Sequence, residues 1–304
     1  MTHATRLQRQ GAVFCAIAWA VAALSLLATR PDSRTELALL AGLVFLLGVP
    51  HGALDPVFAR HVYPIRAARH WLLFVGVYLA LALAVVGLWW LQPAVFLTAF
   101  LLVSAFHFSG DLTHGVAPLL RFWYGGAVIV LPALLHEAEV ATLFGYLVPA
   151  TFAESSAGVL HALAVPWLLG LTVYVICNLR RSLQPCIEVV SVAVLVTVAT
   201  PLVGFTVFFC AMHSIRHAIR TQAFAGTSGF VWLLKQSLLP MAGLTVILLL
   251  CWATVDPAQF DAAVVQFLFV ALAALTMPHM WLIERVRFSN DIGKTATPER
   301  LHTT

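Results

Sequence analysis

Charge is scarce in this chain. Asp, Glu, Lys and Arg together make up 10% of its 304 residues, 61% are hydrophobic, and the mean hydropathy is +0.94. A soluble globule carries nearer a quarter of charged residues, so the deficit excludes a water-soluble fold and makes the bilayer the solvent. Cysteine is also sparse: Cys15, Cys177, Cys186, Cys210 and Cys251 lie in or beside apolar runs without paired spacing. Neither a disulfide framework nor a thiolate metal site is therefore expected. Long polar stretches are missing too. The longest weakly apolar segment, HEAEVATLFGYLVPATFAESS at 136–156, reads as a short interfacial segment, and no second domain is expected. Residues 1–304 read as a single transmembrane domain with 1–10 and 288–304 as tails. The apolar run after RLQRQ is too long for a signal peptide and lacks a small-x-small cleavage site, so it reads as the first span.

What the chain has is a succession of apolar runs. A membrane-spanning helix needs roughly 20 such residues, and about ten stretches qualify, at 11–29, 37–59, 70–91, 93–110, 117–135, 157–178, 185–200, 202–222, 231–254 and 261–284. The seventh is short and β-branched. The expected fold is all-α, a polytopic integral membrane helical bundle of about ten transmembrane helices. If the N-terminus is cytoplasmic and the spans alternate, only Arg30 and Arg34 of the 17 Lys and Arg fall outside, with Arg216 and Arg220 among those inside. The positive-inside rule then puts both termini in the cytoplasm of a multi-pass protein of the cell (inner) membrane. The pI near 9.0 follows from those loops; it suits contact with membrane lipid and asks for no nucleic-acid partner.

Against this background the histidines stand out. Of twelve, His3, His61, His70, His114, His136, His161 and His302 fall in tails, in loops or at helix ends, while His51, His107, His213, His217 and His279 fall inside spans. Counting about 1.5 Å per residue from the outer helix ends gives them depths of roughly 18 to 28 Å, in the cytoplasmic half of a hydrocarbon core about 30 Å thick. Polar groups in lipid are costly and mark function by default. His213 and His217 in AMHSIRHAIR are i and i+4, on one helical face, where two imidazoles can share a metal. His51 with Asp55 in PHGALD, and His107 with Asp111 in HFSGD, have the same spacing. Each Asp is a candidate partner for a ligating imidazole or a helix cap. An all-imidazole site suits Fe, Cu or Zn rather than Mg or Ca, and open coordination positions can take dioxygen. Pro50 breaks the second span, with Gly48 and Gly52 allowing close approach, which aims His51 inward.

The motifs GVPHGALDP, AFHFSGD, MHSIRHAIR and MPHMWLIER, in this order on a polytopic chain of this length, resemble the Brp/Blh family of bacterial and archaeal β-carotene 15,15'-dioxygenases. The resemblance covers roughly residues 36 to 290. It implies cleavage of the central double bond of β-carotene by O2, giving two retinal, at a non-haem Fe(II) held by four histidines. Carried over residue by residue, the ligands are His51, His107, His213 and His217, with His279, Asp55 and Asp111 around them, supporting the ligands or lining the pocket, and no further catalytic residue. It also implies a functional link to a retinal-binding rhodopsin. Phe106, Phe108, Phe205, Phe208, Phe209 and Trp281, with Trp123 and Tyr124, lie near the histidine level and are candidates to line an apolar tunnel for the polyene. The residues alone leave other readings open. A proton- or metal-ion-coupled transporter also gathers His and Asp, although the outer half of this bundle has few ionisable residues and no internal repeat. A di-iron desaturase needs more paired histidines, a bis-His haem protein leaves His217 unexplained, and a non-catalytic opsin partner is a further alternative.

Overall fold

The computed structural model describes residues 2–27, 32–112, 118–180 and 183–295, and among them there is no strand. The α-helices run α1 (His3–Leu27), α2 (Ser33–Leu43), α3 (Asp55–Val62), α4 (Ala68–Leu91), α5 (Pro93–Phe108), α6 (Pro118–Val130), α7 (Pro132–Gly145), α8 (Ala150–Asn178), α9 (Leu183–Val198), α10 (Pro201–Val207), α11 (Ile215–Phe224), α12 (Phe230–Trp252) and α13 (Phe260–Thr295). Short π- and 3-10-helical turns join α2 to α3 and α10 to α11.

Eight helical stretches are long and apolar enough to cross a bilayer, and the α6–α7 pair, bent by 49°, makes up to nine. All ten expected runs coincide with helices, but two are not simple spans. Pro132 ends the hydrogen-bond ladder of α6 and starts α7 at the bend. The stretch expected at 185–200 is α9, only 16 residues long, with Cys186, Glu188, Val189, Ser191, Val192, Ala193, Leu195 and Val196 buried. It is short because it lies inside the bundle, packed on α1, α6, α7, α8 and α10, rather than against lipid. By contrast, only Ala82 of α4 and Ser237 of α12 are buried, so these largely apolar helices form the outer surface.

Two segments read above as interfacial and as a tail carry helix. Within 136–156 the chain forms most of α7 and the start of α8, joined by a turn at 146–149. The tail expected at 1–10 is also helical: α1 begins at His3 and buries Gln10, because that end docks on α11 and α9. At the other end α13 continues to Thr295, and 296–304 lie outside the described residues. So do Arg30, His114, Arg181, Arg300 and His302.

Lipid offers helices no hydrophobic reason to associate, so close packing of small residues takes over. On α1 the buried Gly11, Cys15, Ala18 and Ala22 recur at helical spacing on the face toward α9. The main apolar core joins Phe14, Val44, Phe108, Tyr124, Leu195, Phe208 and Met212 from six different segments around the inner ends of α5 and α10.

Candidate metal centre

Two irregular turns bring the histidines together. After α2 the chain takes one wide π-turn, Val44–Gly48, and one tight 3-10 turn, Val49–Leu54, which contains Pro50 and His51. Gly48 is required there: a Cβ would sit 2.4 Å from Phe209 Cε1. Its carbonyl, released from the regular ladder, accepts from His51 Nδ1 at 2.7 Å and from Ser214 Oγ at 3.0 Å. Gly52, expected to permit a second close approach, has open space where its Cβ would be. The other irregular turn is the π-helical Phe208–Ser214, which carries His213 and leads into α11 with His217. Wide turns of this kind inside helices shift the register of side chains and recur at functional sites.

All five intramembrane histidines meet. The ligand atoms of His51, His107 and His279 lie within 4.8 Å of one another. The His213 ring is 4.6 Å from that of His107 and 4.9 Å from that of His51, and the His217 ring is 5.0 Å from that of His279 and 5.5 Å from that of His51. The Nε2 atoms of His213, His217 and His279 are buried without a hydrogen-bond partner. Such an atom costs about 1–3 kcal/mol, so three of them on adjoining rings are a sizeable unmet demand; the close group of ligand atoms that could hold a metal is His51, His107 and His279, and His213 and His217 adjoin it through their rings.

The carboxylates act across helices rather than along them. Asp111 does not pair with His107 four residues earlier; its Oδ2 accepts from His213 Nδ1 at 2.9 Å. Asp55 likewise takes His279 Nδ1, at 2.6 Å on Oδ1, and its Oδ2 accepts from Tyr78 Oη at 2.9 Å. With Nδ1–H committed to a carboxylate, the lone pair of each ring is left on Nε2.

Behind Asp111 lies a polar network that the sequence did not reveal. Arg216, counted above among the cytoplasmic charges, is fully buried. It makes two 2.9 Å bonds to the Glu188 carboxylate, one to Gln10 Oε1 and one to the Asp111 carbonyl. Arg220 donates to the carbonyls of Gly110 and Asp111 at 2.7 and 3.0 Å. Gly11 makes room for the pair, since a Cβ would lie 2.0 Å from Glu188 Oε1.

A narrow cavity of about 90 Å³ lies beside the cluster, lined by His107, Phe108, Phe205 and Phe209 among apolar neighbours. The remaining aromatic candidates are elsewhere. Phe106 is 54% exposed on the outer face, and Phe208 is buried against Phe108 and Tyr124. Trp123 packs at a tilt against Trp167. Trp281 borders a separate groove that also includes Tyr78 and Pro278.

Comparison with known proteins bears on this arrangement directly. The profile of the family described as "BCD: Beta-carotene 15,15'-dioxygenase" matches residues 42–286. The chain belongs to the β-carotene 15,15'-dioxygenase family. It is 31% identical over 265 residues to "Beta-carotene 15,15'-dioxygenase" of uncultured marine bacterium 66A03, covering 80% of this chain and 90% of that protein. It is 26% identical over 307 residues, with 87% of each chain covered, to "Probable beta-carotene 15,15'-dioxygenase Blh" of Halobacterium salinarum. No solved structure matches. Membership in the β-carotene 15,15'-dioxygenase family makes the protein an oxidoreductase of the carotenoid-cleaving dioxygenase class, in agreement with the resemblance of its motifs.

Within a member of this family, Tyr78, Ser214, Arg216, Glu188 and Gln10 are the polar residues of the site that composition and motif reading missed. Glu188 offered one signal: it is an acid in the middle of an apolar run, and such a residue usually has a partner facing it inside the bundle.

Proposed function

We propose that this enzyme cleaves the 15,15' double bond of β-carotene with O2, yielding two retinal, at an intramembrane Fe(II) centre held by His51, His107, His213 and His217. The observation that carries the reading is the convergence of five imidazoles, three with orphaned buried Nε2 atoms, beside an apolar cavity. Neutral nitrogen donors without thiolate or water-rich surroundings suit iron, copper or zinc. Bound there, iron supplies the one-electron chemistry by which dioxygen in its triplet state reacts with a closed-shell polyene.

The chain's own residues do the remaining work. Asp111 and Asp55 compensate the charge of a divalent ion in a low dielectric and keep the His213 and His279 rings turned inward. Phe205, Phe209 and Phe108 give the cavity an apolar wall that accepts a hydrocarbon from lipid and keeps bulk water out. The reaction balances without any other redox partner: one C=C bond breaks and each carbon takes one atom of O2, forming two aldehydes. No side chain has to act as acid, base or nucleophile. The enzyme sits in the cell (inner) membrane as one domain with both termini cytoplasmic, takes its substrate from membrane lipid, and its product links it to a retinal-binding rhodopsin.

The test is expression in a bacterial host that accumulates β-carotene, with pigments analysed by chromatography. Wild-type protein is expected to bleach the cells and leave retinal as the dominant product, and His213→Ala is expected to do neither while inserting normally. Persistent β-carotene in the presence of well-expressed, metal-loaded wild type rejects the assignment.

A further inference from the structure

The four-histidine reading leaves His279 outside the ligand set, and the geometry points elsewhere. A buried histidine that only supports packing normally satisfies both ring nitrogens, because an unpaired one is costly. His279 satisfies one. Its Nδ1 donates to Asp55 Oδ1 at 2.6 Å, and its Nε2 is buried without a partner, the same state as His213 Nε2 and His217 Nε2. Its ring lies 5.4 Å from those of His51 and His107 and 5.0 Å from that of His217, and it completes the tightest group of ligand atoms with His51 and His107.

The support behind the ring is as developed as that behind His213. Each of the two rings is held at Nδ1 by an aspartate that stands four residues after another histidine of the cluster, Asp55 after His51 and Asp111 after His107. Tyr78 Oη donates to the second oxygen of Asp55 at 2.9 Å, fixing the plane of that carboxylate from α4. A carboxylate at Nδ1, itself oriented by another donor, is the outer-shell arrangement found behind metal-bound imidazoles. A substrate that is a pure hydrocarbon has no atom that competes for such a position.

On the basis of the iron-centre reading above, we propose that His279 is a fifth imidazole donor to the metal through Nε2, with Asp55 and Tyr78 as the residues that position it.

The experiment compares purified full-length wild type with His213→Ala, His279→Ala, His279→Gln, Asp55→Asn and the distant control His161→Ala. Bound iron and its rate of loss to a chelator are measured, together with the visible spectrum of Co(II)-loaded protein. The expected result is that both His279 variants lose metal retention by more than about 100-fold, as His213→Ala does, whereas Asp55→Asn loses roughly 10 to 100-fold. Metal-free His279→Gln that unfolds at the same temperature as metal-free wild type shows that the loss reports ligation rather than folding. Added imidazole should restore metal retention and the Co(II) spectrum in His279→Ala, which a purely structural role would not allow. Wild-type retention and an unchanged Co(II) spectrum in His279→Gln would overturn the proposal while leaving the four-histidine centre intact. Wild-type protein that retains no more metal than His213→Ala removes the iron-centre reading itself, and this one with it.

Discussion

His213 has one nitrogen on Asp111 and the other buried without a partner, and this division of roles gives a prediction at the level of one side chain. Replacing Asp111 with Asn keeps the shape but removes the negative charge that, in the proposed centre, would make His213 a good donor. Metal affinity, read by competition with a chelator, should fall by roughly 10 to 100-fold; an unchanged affinity would mean that the carboxylate serves only the fold. Metal removal acts on the same atoms. Stripped protein should lose carotene cleavage and regain it with Fe(II) but not with Mg²⁺, because all-nitrogen donors bind the harder ion poorly. Recovery with Mg²⁺ would contradict that donor set. The existence of the cluster was legible from the sequence, since histidines at one depth in an apolar chain are conspicuous. The pairing was not: the i, i+4 spacing put Asp55 with His51 and Asp111 with His107, but in space each carboxylate turns to a ring on another helix.

Helices α1, α9 and α11 meet at Arg216, whose guanidinium has no access to solvent and is neutralised by Glu188. Arg216→Met strands a buried carboxylate and should cost about 3–5 kcal/mol. The double variant Glu188→Met/Arg216→Met should recover most of that loss, since an apolar pair of similar volume replaces the ion pair. Thermal unfolding in detergent of the two singles and the double checks this, and simple additivity would show that the two charges are not coupled. At the same contact Gly11→Val should destabilise through its clash with Glu188. The positions of the apolar helices could be read from hydropathy. The interior place of α9 could not, because a short apolar run reads alike in lipid and in a protein core. Nor could the two helices within 136–156, whose scattered Glu and His interrupt the apolar pattern.

For the molecule as a whole, a bundle with α4 and α12 on its outer surface carries a partly open apolar cavity that has His107 on its wall. If that cavity receives the polyene, filling it should block turnover without touching the metal. Leu101→Trp, on the cavity wall, should lower retinal formation by an order of magnitude or more at undiminished iron content. Full activity in that variant would send the substrate by another route, with the separate groove at Trp281 the next to test.

By itself the sequence determined that this is a helical membrane protein with an imidazole-rich site toward one side of the bundle. Hydropathy and residue depth are properties of each segment alone, and the solvent enforces them. Only the tertiary structure decided which atoms meet. The wide turns at Val44–Gly48 and Phe208–Ser214 rotate side chains out of the register that ideal spacing assumes. The exchange of Asp55 and Asp111 between helices, the buried Arg216 and the inward Nε2 of His279 depend on contacts between residues more than a hundred positions apart or on separate helices. Periodicity along one helix carries no information about those contacts.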